Sequence, residues 1–248
     1  RMLLMKSSAG AVFSTLDDRY RVGFLTINAS DSTRYLKIDK FEPVHKSAWF
    51  TKFYSMTPTG STPLREALSR AGRHYAGQTS GINSFMPDDP IQYSCQQNFA
   101  LLTTDGYWNS TGGVQINGTT SIGNQDNVDS GFSTRAAGAY DGGLAGIASD
   151  SSTGSSNTLA DVAMYYYKTD LRTAGAVAKD NVPTSSKDSA SHQHMVTFTL
   201  GLGLDGLMTY RSDYETAGSG DFFKIKSAST GCSWASGSSE SQARIRLA

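Results

Sequence analysis

Seven consecutive residues, Asn98-Phe-Ala-Leu-Leu-Thr-Thr104, with Asp105-Gly106 immediately after, narrow the folding options of this chain more than any other stretch. The run is continuously apolar, too short for a typical helix, and closed by a turn pair. It reads as a strand buried on both faces of a parallel sheet. A parallel strand needs a helical crossover and a second strand, and both are present. Thr158-Leu-Ala-Asp161 opens like a capping box, with Asp in place of the usual Glu or Gln, and predicts a helix to about Leu171. His194-Met-Val-Thr-Phe-Thr-Leu-Gly-Leu-Gly-Leu204 then predicts another strand.

The N-terminal third carries the same alternation of elements. Met2, Met5, Ala9, Val12, Phe13 and Leu16 recur at helical steps over residues 1–17 and predict one helix face. Tyr20 to Asn28 is rich in β-branched and aromatic residues and reads as a strand, Arg34 to Phe41 as a short edge strand, and Ala48 to Tyr54 as a short helix. Thr59-Gly-Ser-Thr-Pro-Leu64 is the clearest helix start. Pro63 suits the first helical position, with Thr62 or Ser61 as N-cap, and Leu64, Leu68, Ala71 and Tyr75 share one face. The expected fold is therefore an α/β sandwich with a mainly parallel sheet flanked by helices. Residues 109–157 stand apart: rich in Gly, Ser, Thr and Asn, with Arg135 as the only basic residue, they read as a long insertion, partly mobile or ligand-holding. We assign residues 1–226 to one α/β domain containing this insertion, and residues 227–248 to a Ser/Gly-rich exit linker.

Composition removes several function classes. Lys plus Arg and Asp plus Glu both number 22, so there is no global positive field to hold a nucleic acid or an anionic membrane. No apolar stretch approaches the roughly 18–20 residues of a membrane span. The low charged fraction, 18%, with Gly, Ser and Thr near a third of all residues, fits an exported protein. Arg1 to Lys6 is too brief for a signal-peptide core, and the chain reads as an internal piece of something longer. Cys95 and Cys232 lack zinc spacing, and are equally consistent with a disulfide and with two separate thiols.

Candidate chemistry gathers beyond the carboxyl ends of the strands, where open α/β sheets bind ligands. Asp105 follows the buried strand, and the Thr59–Thr62 loop leads into a helix. Together they offer the oxygen donors that Mg²⁺ or Ca²⁺ prefers. Each residue also has a plainer role, Thr62 as a cap and Asp105 as a turn residue. His192 and His194, on one face of a strand, read as exposed strand-entry histidines rather than metal ligands. Asn124, Asp126 and Asp129 read as a polar loop, because the twelfth position of a calcium loop would be Arg135. Of Tyr165, Tyr166 and Tyr167, one or two face the core. No catalytic triad, phosphate loop or paired acid–base carboxylates stands out, so we expect no enzyme. The competing reading is a metal-dependent ester hydrolase around Asp105, Asp126, His192 and His194, and a third is a structural spacer.

Two resemblances sharpen this. Gly60-Ser-Thr-Pro-Leu64 followed by Leu101-Leu-Thr-Thr-Asp-Gly106 resembles the second and third elements of the metal-ion-dependent adhesion site of von Willebrand factor A domains. That resemblance implies a Mg²⁺ or Ca²⁺ site with Thr62 and Asp105 among its ligands. The site's first element, Asp-x-Ser-x-Ser after the first strand, is absent, so the fold would lack its first strand. Longer blocks resemble the PilY/PilC-type tip proteins of bacterial type IV pili. These are Cys95-Gln-Gln-Asn-Phe, Thr104-Asp-Gly-Tyr-Trp-Asn109, Ser133 to Gly143, Thr158 to Arg172, His194 to Gly203 and Tyr210 to Tyr214. The resemblance implies an adhesion and pilus-assembly module at the pilus tip on the cell surface (the fimbrium). It implies as partners pilin or minor pilins, a host or surface ligand, and a following C-terminal propeller domain.

Overall fold

Among the described residues, two separate two-stranded ladders organise the chain, one antiparallel and one parallel, with four α-helices packed around them. The computed structural model describes residues 2–104, 111–125, 157–185, 188–201, 209–214, 216–220 and 223. Helix α1 (Met2–Ser14) is followed by β1 (Arg21–Leu25), β2 (Tyr35–Lys40) and helix α2 (Pro43–Ser55). Then come α3 (Leu64–Tyr75), β3 (Asn98–Thr104), α4 (Leu159–Lys168) and β4 (Met195–Gly201). No helix of the described residues is long and apolar enough to cross a membrane.

Strands β1 and β2 pair antiparallel, Arg21 opposite Lys40 and Leu25 opposite Tyr35, with a register shift between Val22 and Phe24. Helix α2 begins with Pro43 in its first turn, where a missing N–H costs no hydrogen bond, and so starts earlier than its apolar pattern suggests. Trp49 is the anchor of this half. Its Nε1 donates to the Gly23 carbonyl at 3.0 Å, and its ring stacks on Phe13 of α1 and on Phe53, centroids 4.6 and 4.9 Å apart. Helix α1 thus joins through Phe13, while Val12, expected on its buried face, is exposed.

Strands β3 and β4 pair parallel in simple register, from Asn98 opposite Met195 to Thr104 opposite Gly201. Helix α4 is the crossover between them. Its capping box is complete: Thr158 Oγ1 accepts the Asp161 N–H, and the Asp161 carboxylate accepts the Thr158 N–H at 2.8 Å. Leu64, Leu68, Leu102, Ile122, Val162, Tyr166 and Met195 form the core between α3, α4 and this ladder. Gly72 on α3 lies against the Tyr166 ring of α4, which fills the space a side chain at Gly72 would take.

Three expectations need correction. The sheet is not mainly parallel: among the described residues each ladder has two strands, and one of the two is antiparallel. Nor is β3 buried on both faces. Leu102 and Thr104 face α3 and the core, whereas Phe99 and Leu101 are about half exposed beside Phe198 of β4, a face that α1 meets at Thr103 through Met5. The third concerns residues 109–157, of which 111–125 and 157 are described. Residues 111–125 are fixed in place, with Ile122 buried in the core. The Val114 N–H bonds Ser69 Oγ at 3.0 Å, Tyr166 Oη donates to the Val114 carbonyl at 2.7 Å, and the Gln125 N–H reaches Asp161 Oδ1 at 2.7 Å. Buried Arg73 ties the same segment to α3, donating to the carbonyls of Ile116 and Ser80 and to Asn83 Oδ1.

Candidate functional site at the strand-end rim

Helix α3 runs opposite in direction to β3. Tyr75 Oη, at the end of the helix, donates to the Phe99 carbonyl near the start of the strand at 2.9 Å, and burial pushes the Tyr75 phenol up to about 12. From Tyr75 back to Leu64 the helix rises ~16 Å at about 1.5 Å per residue. From Phe99 forward to Thr104 the strand covers a similar ~16 Å at about 3.3 Å per residue. The loop before α3 and the end of β3 therefore reach one rim. Thr111, in the segment that leaves β3, lines the same pocket as Ser61 and Pro63.

At this rim Thr62 is half-buried, and its carbonyl accepts the Leu64 N–H at 2.9 Å. The expected capping role for Thr62 or Ser61 is not what forms. Pro63 itself occupies the N-cap position, with φ −80° and ψ 62° and no side-chain cap, and its carbonyl accepts the Ala67 N–H. The loop is held from below. Arg34 Nη2 donates to Thr59 Oγ1 at 2.9 Å and Asn28 Nδ2 to the Thr59 carbonyl, while Gly60 turns at φ +78° close against the Asn28 amide, a conformation and a contact that suit glycine. Thr104, the last residue of β3, is buried. Asp105 follows it and lies outside the described residues.

The donor set fits a hard cation only in part. The rim loop offers the hydroxyls of Ser61 and Thr62, the kind of oxygen ligand Mg²⁺ and Ca²⁺ take. Among the described residues, no group of three or more His, Cys, Asp or Glu side chains converges to hold a metal ion. A cation at this rim depends on Asp105 and on carboxylates from elsewhere.

The histidine pair is not exposed, which corrects the sequence reading. His192 and His194 are both almost fully buried. His194 Nδ1 is 2.7 Å from the His192 carbonyl and Nε2 is 3.1 Å from an Asp188 oxygen, and His192 Nε2 lies 3.1 Å from the Tyr167 carbonyl. Burial holds the His192 imidazole below its ordinary range. They precede β4, level with Asn98, whereas Thr104 ends β3 at the other end of the ladder, ~20 Å away along the strand at about 3.3 Å per residue. The histidines thus stand at the opposite end of the ladder from Thr104, the last described residue of β3. Asp126, Asp129, Arg135 and Cys232 lie outside the described residues, and Cys95 is exposed. Tyr166 and Tyr167 are buried and Tyr165 half-buried, as expected.

Sequence reasoning missed an apolar cleft of about 360 Å³ between the two ladders. Every residue from Arg21 to Ile27 and every residue from Phe99 to Thr103 lines it. Side chains alternate faces along a strand, so a strand that presents all its residues presents its edge. Phe13, Trp49 and Phe53 close the cleft on one side, and Leu68, Ala71 and Tyr75 on the other. It is a slot with strand edges left and right and helices above and below. At one end Tyr35 Oη donates to Asp88 at 2.5 Å and lies 3.2 Å from His74 Nε2. Burial lowers the His74 pKa, against the opposing pull of Asp88. A count of paired strand edges would have disclosed the cleft, but pairing is not written in local sequence.

Comparison with known proteins places the chain beside one kind of protein. It is 29% identical over 240 residues to the type IV pilus biogenesis factor PilY1 of Pseudomonas aeruginosa strain PAK, covering 84% of this chain and 19% of that protein. It is 30% identical over 232 residues to PilY1 of strain UCBPP-PA14, covering 86% of this chain and 18% of that protein. For PilY1 of strain PAO1 the values are 28% over 243 residues, 84% and 19%. The chain spans about a fifth of the length of these curated relatives. No protein-family model matches it, and no solved structure does.

Proposed function

We propose that this chain is the von Willebrand A-like region of a type IV pilus biogenesis factor, exported to the pilus tip, where it serves adhesion and pilus assembly without enzymatic chemistry. Similarity to PilY1 over more than four-fifths of the chain supports the pilus role. The observation that carries the adhesion part is the common rim of the Thr62 loop and the end of β3. There Thr62 and Asp105 would be two ligands of a Mg²⁺ or Ca²⁺ ion, and the ion would supply an open position for an acidic group of the bound surface. The cleft supports the same reading from a second direction. A single strand between β1 and β3 would unite both ladders in one sheet and bring its own C-terminal loop, with further Asp and Ser ligands, to that rim. Pilin or minor pilins, a host or surface ligand and the protein's own propeller domain are the proposed partners.

The test uses the complete pilus factor. Mg²⁺ and Ca²⁺ should each raise the melting temperature of the wild type, and Asp105→Ala and Thr62→Ala should remove that rise while leaving the metal-free melting temperature within a degree or two. A cation-dependent rise that survives both substitutions removes the cation from the proposal.

A further inference from the structure

A short hairpin away from both the rim and the cleft gathers several groups around one side chain. Residues 114–121 turn back on themselves. The Gln115 N–H donates to the Thr120 carbonyl at 2.8 Å, the Gly118 N–H to the Gln115 carbonyl at 2.9 Å, and Val114 bridges Ser121. At the tip stands Asn117-Gly118, the only Asn-Gly pair in the chain. Asn117 is exposed, and Gly118 turns at φ +80°. The Asn117 carboxamide is folded forward over its own backbone. Its Oδ1 accepts the N–H groups of Thr119 and Thr120 at 3.1 and 3.0 Å, and its Nδ2 donates to Thr120 Oγ1 at 2.7 Å. Beneath the tip lies buried Arg73. A Cβ on Gly118 would stand 2.5 Å from Arg73 Nη1 and 2.7 Å from Cζ, so the guanidinium sits directly against the glycine. Both the turn and that contact require glycine here, and the same lack of a side chain leaves the Gly118 nitrogen unhindered.

We propose that Asn117 is a self-modification site, at which the fold promotes deamidation through a cyclic imide. The Gly118 nitrogen gives up its proton and attacks Asn117 Cγ. An N–Cγ bond forms, the Cγ–Nδ2 bond breaks, and Nδ2 leaves as ammonia with one proton in place of the one Gly118 lost. Water then opens the imide at either carbonyl and leaves aspartate or isoaspartate, with nothing oxidised or reduced. During the attack, negative charge develops on Oδ1, where two backbone N–H groups already point, as in the sites that stabilise the oxyanion of acyl transfer. The Arg73 charge beside Gly118 favours the deprotonated nitrogen. The opposing feature is the Gly118 bond to Gln115, which must open first. That is one neutral turn bond, whereas the contacts to the oxyanion are charge-assisted and each roughly twice as strong. The product carboxylate keeps the same two donors. The hairpin shares no residue with the rim or the cleft, so this site stands or falls separately from the cation site.

The test incubates the full chain at mildly alkaline pH, folded in buffer and unfolded in urea. Mass spectrometry of the peptide that contains Asn117 follows the change from amide to acid, and an isoaspartyl methyltransferase detects the isoaspartate. Conversion of Asn117 should run several-fold faster in the folded chain than in the unfolded one, because only the fold supplies Arg73 and the two donors. Asn117→Asp, which is the product itself, should melt no lower than the wild type, since its carboxylate accepts the same N–H groups. No conversion in the folded chain, conversion no faster there than in urea, or a clear fall in the melting temperature of Asn117→Asp would overturn the proposal.

Discussion

Replacing Gly72 by Ala sets two opposing effects against each other. In an exposed helix, the change would stabilise by roughly 1 kcal/mol, because alanine is the better helix former. Gly72, however, is buried against Tyr166, and an added Cβ would sit 2.6 Å from Tyr166 Cε1 and closer still to Cγ and Cδ1, where ordinary contact begins at 3.4 Å. The ring must shift by more than an ångström. Tyr166 is 0% exposed and its Oη is held to the Val114 carbonyl at 2.7 Å, so it has no free direction to move. Overpacking of this kind costs about 1–3 kcal/mol and a strained or lost hydrogen bond about 1 more. The net expectation is a loss of about 1–3 kcal/mol, each kcal/mol lowering the melting temperature by about 2–4 °C in a chain of this size. Urea unfolding of Gly72→Ala, and of the same change in a Tyr166→Leu background, isolates the contact. The penalty should shrink or change sign once the ring is gone. A Gly72→Ala protein as stable as the wild type, or more so, would refute the helix–helix geometry.

Thr158→Ala removes the acceptor for the Asp161 N–H and should cost about 1 kcal/mol in urea unfolding. Asp161→Ala should cost more, since its carboxylate also receives the Gln125 N–H and so holds the end of the 111–125 segment. Stability should also fall as pH drops. Burial depresses the pKa values of His74 and His192 in the folded chain, while the unfolded chain takes up protons near 6.5. The unfolded state thus binds more protons between 6.5 and the depressed folded values, so stability is lost as pH falls through that window and is regained above it. The urea midpoint should decline over roughly pH 7.5 to 5.5 and decline less in His74→Gln, whereas a midpoint independent of pH would contradict the burial of both rings.

Elements governed by local chemistry were legible in the sequence. The Thr158 capping box, the apolar run of β3 and the helical face of Leu64, Leu68 and Tyr75 rest on residues close in the chain, and all three form. What depends on distant partners was not legible. Pro63 displaces Thr62 from the cap because the Thr59–Gly60 turn, held by Arg34 and Asn28, sets how the chain enters α3. The histidines near β4 are buried because Tyr167 and Asp188 meet their ring nitrogens, contacts no spacing of His192 and His194 could disclose. Residues 112–125 look like a solvated loop by composition, yet Gly113 lies against Val162 and Ile122 fills the core, since small residues allow a segment to lie flat on helices. Of the candidate site, the sequence pointed to the Thr62 loop and to Asp105, which lies outside the described residues, while the cleft required the fold.

The account depends most on Thr62 and Asp105 sharing one rim. Spin labels at these two positions, in a chain whose cysteines are replaced by serine, measure their separation directly by pulsed dipolar spectroscopy. The account predicts a distance shorter than the ~20 Å length of β3. A distance well beyond that length would place the two residues at opposite ends of the ladder and contradict it.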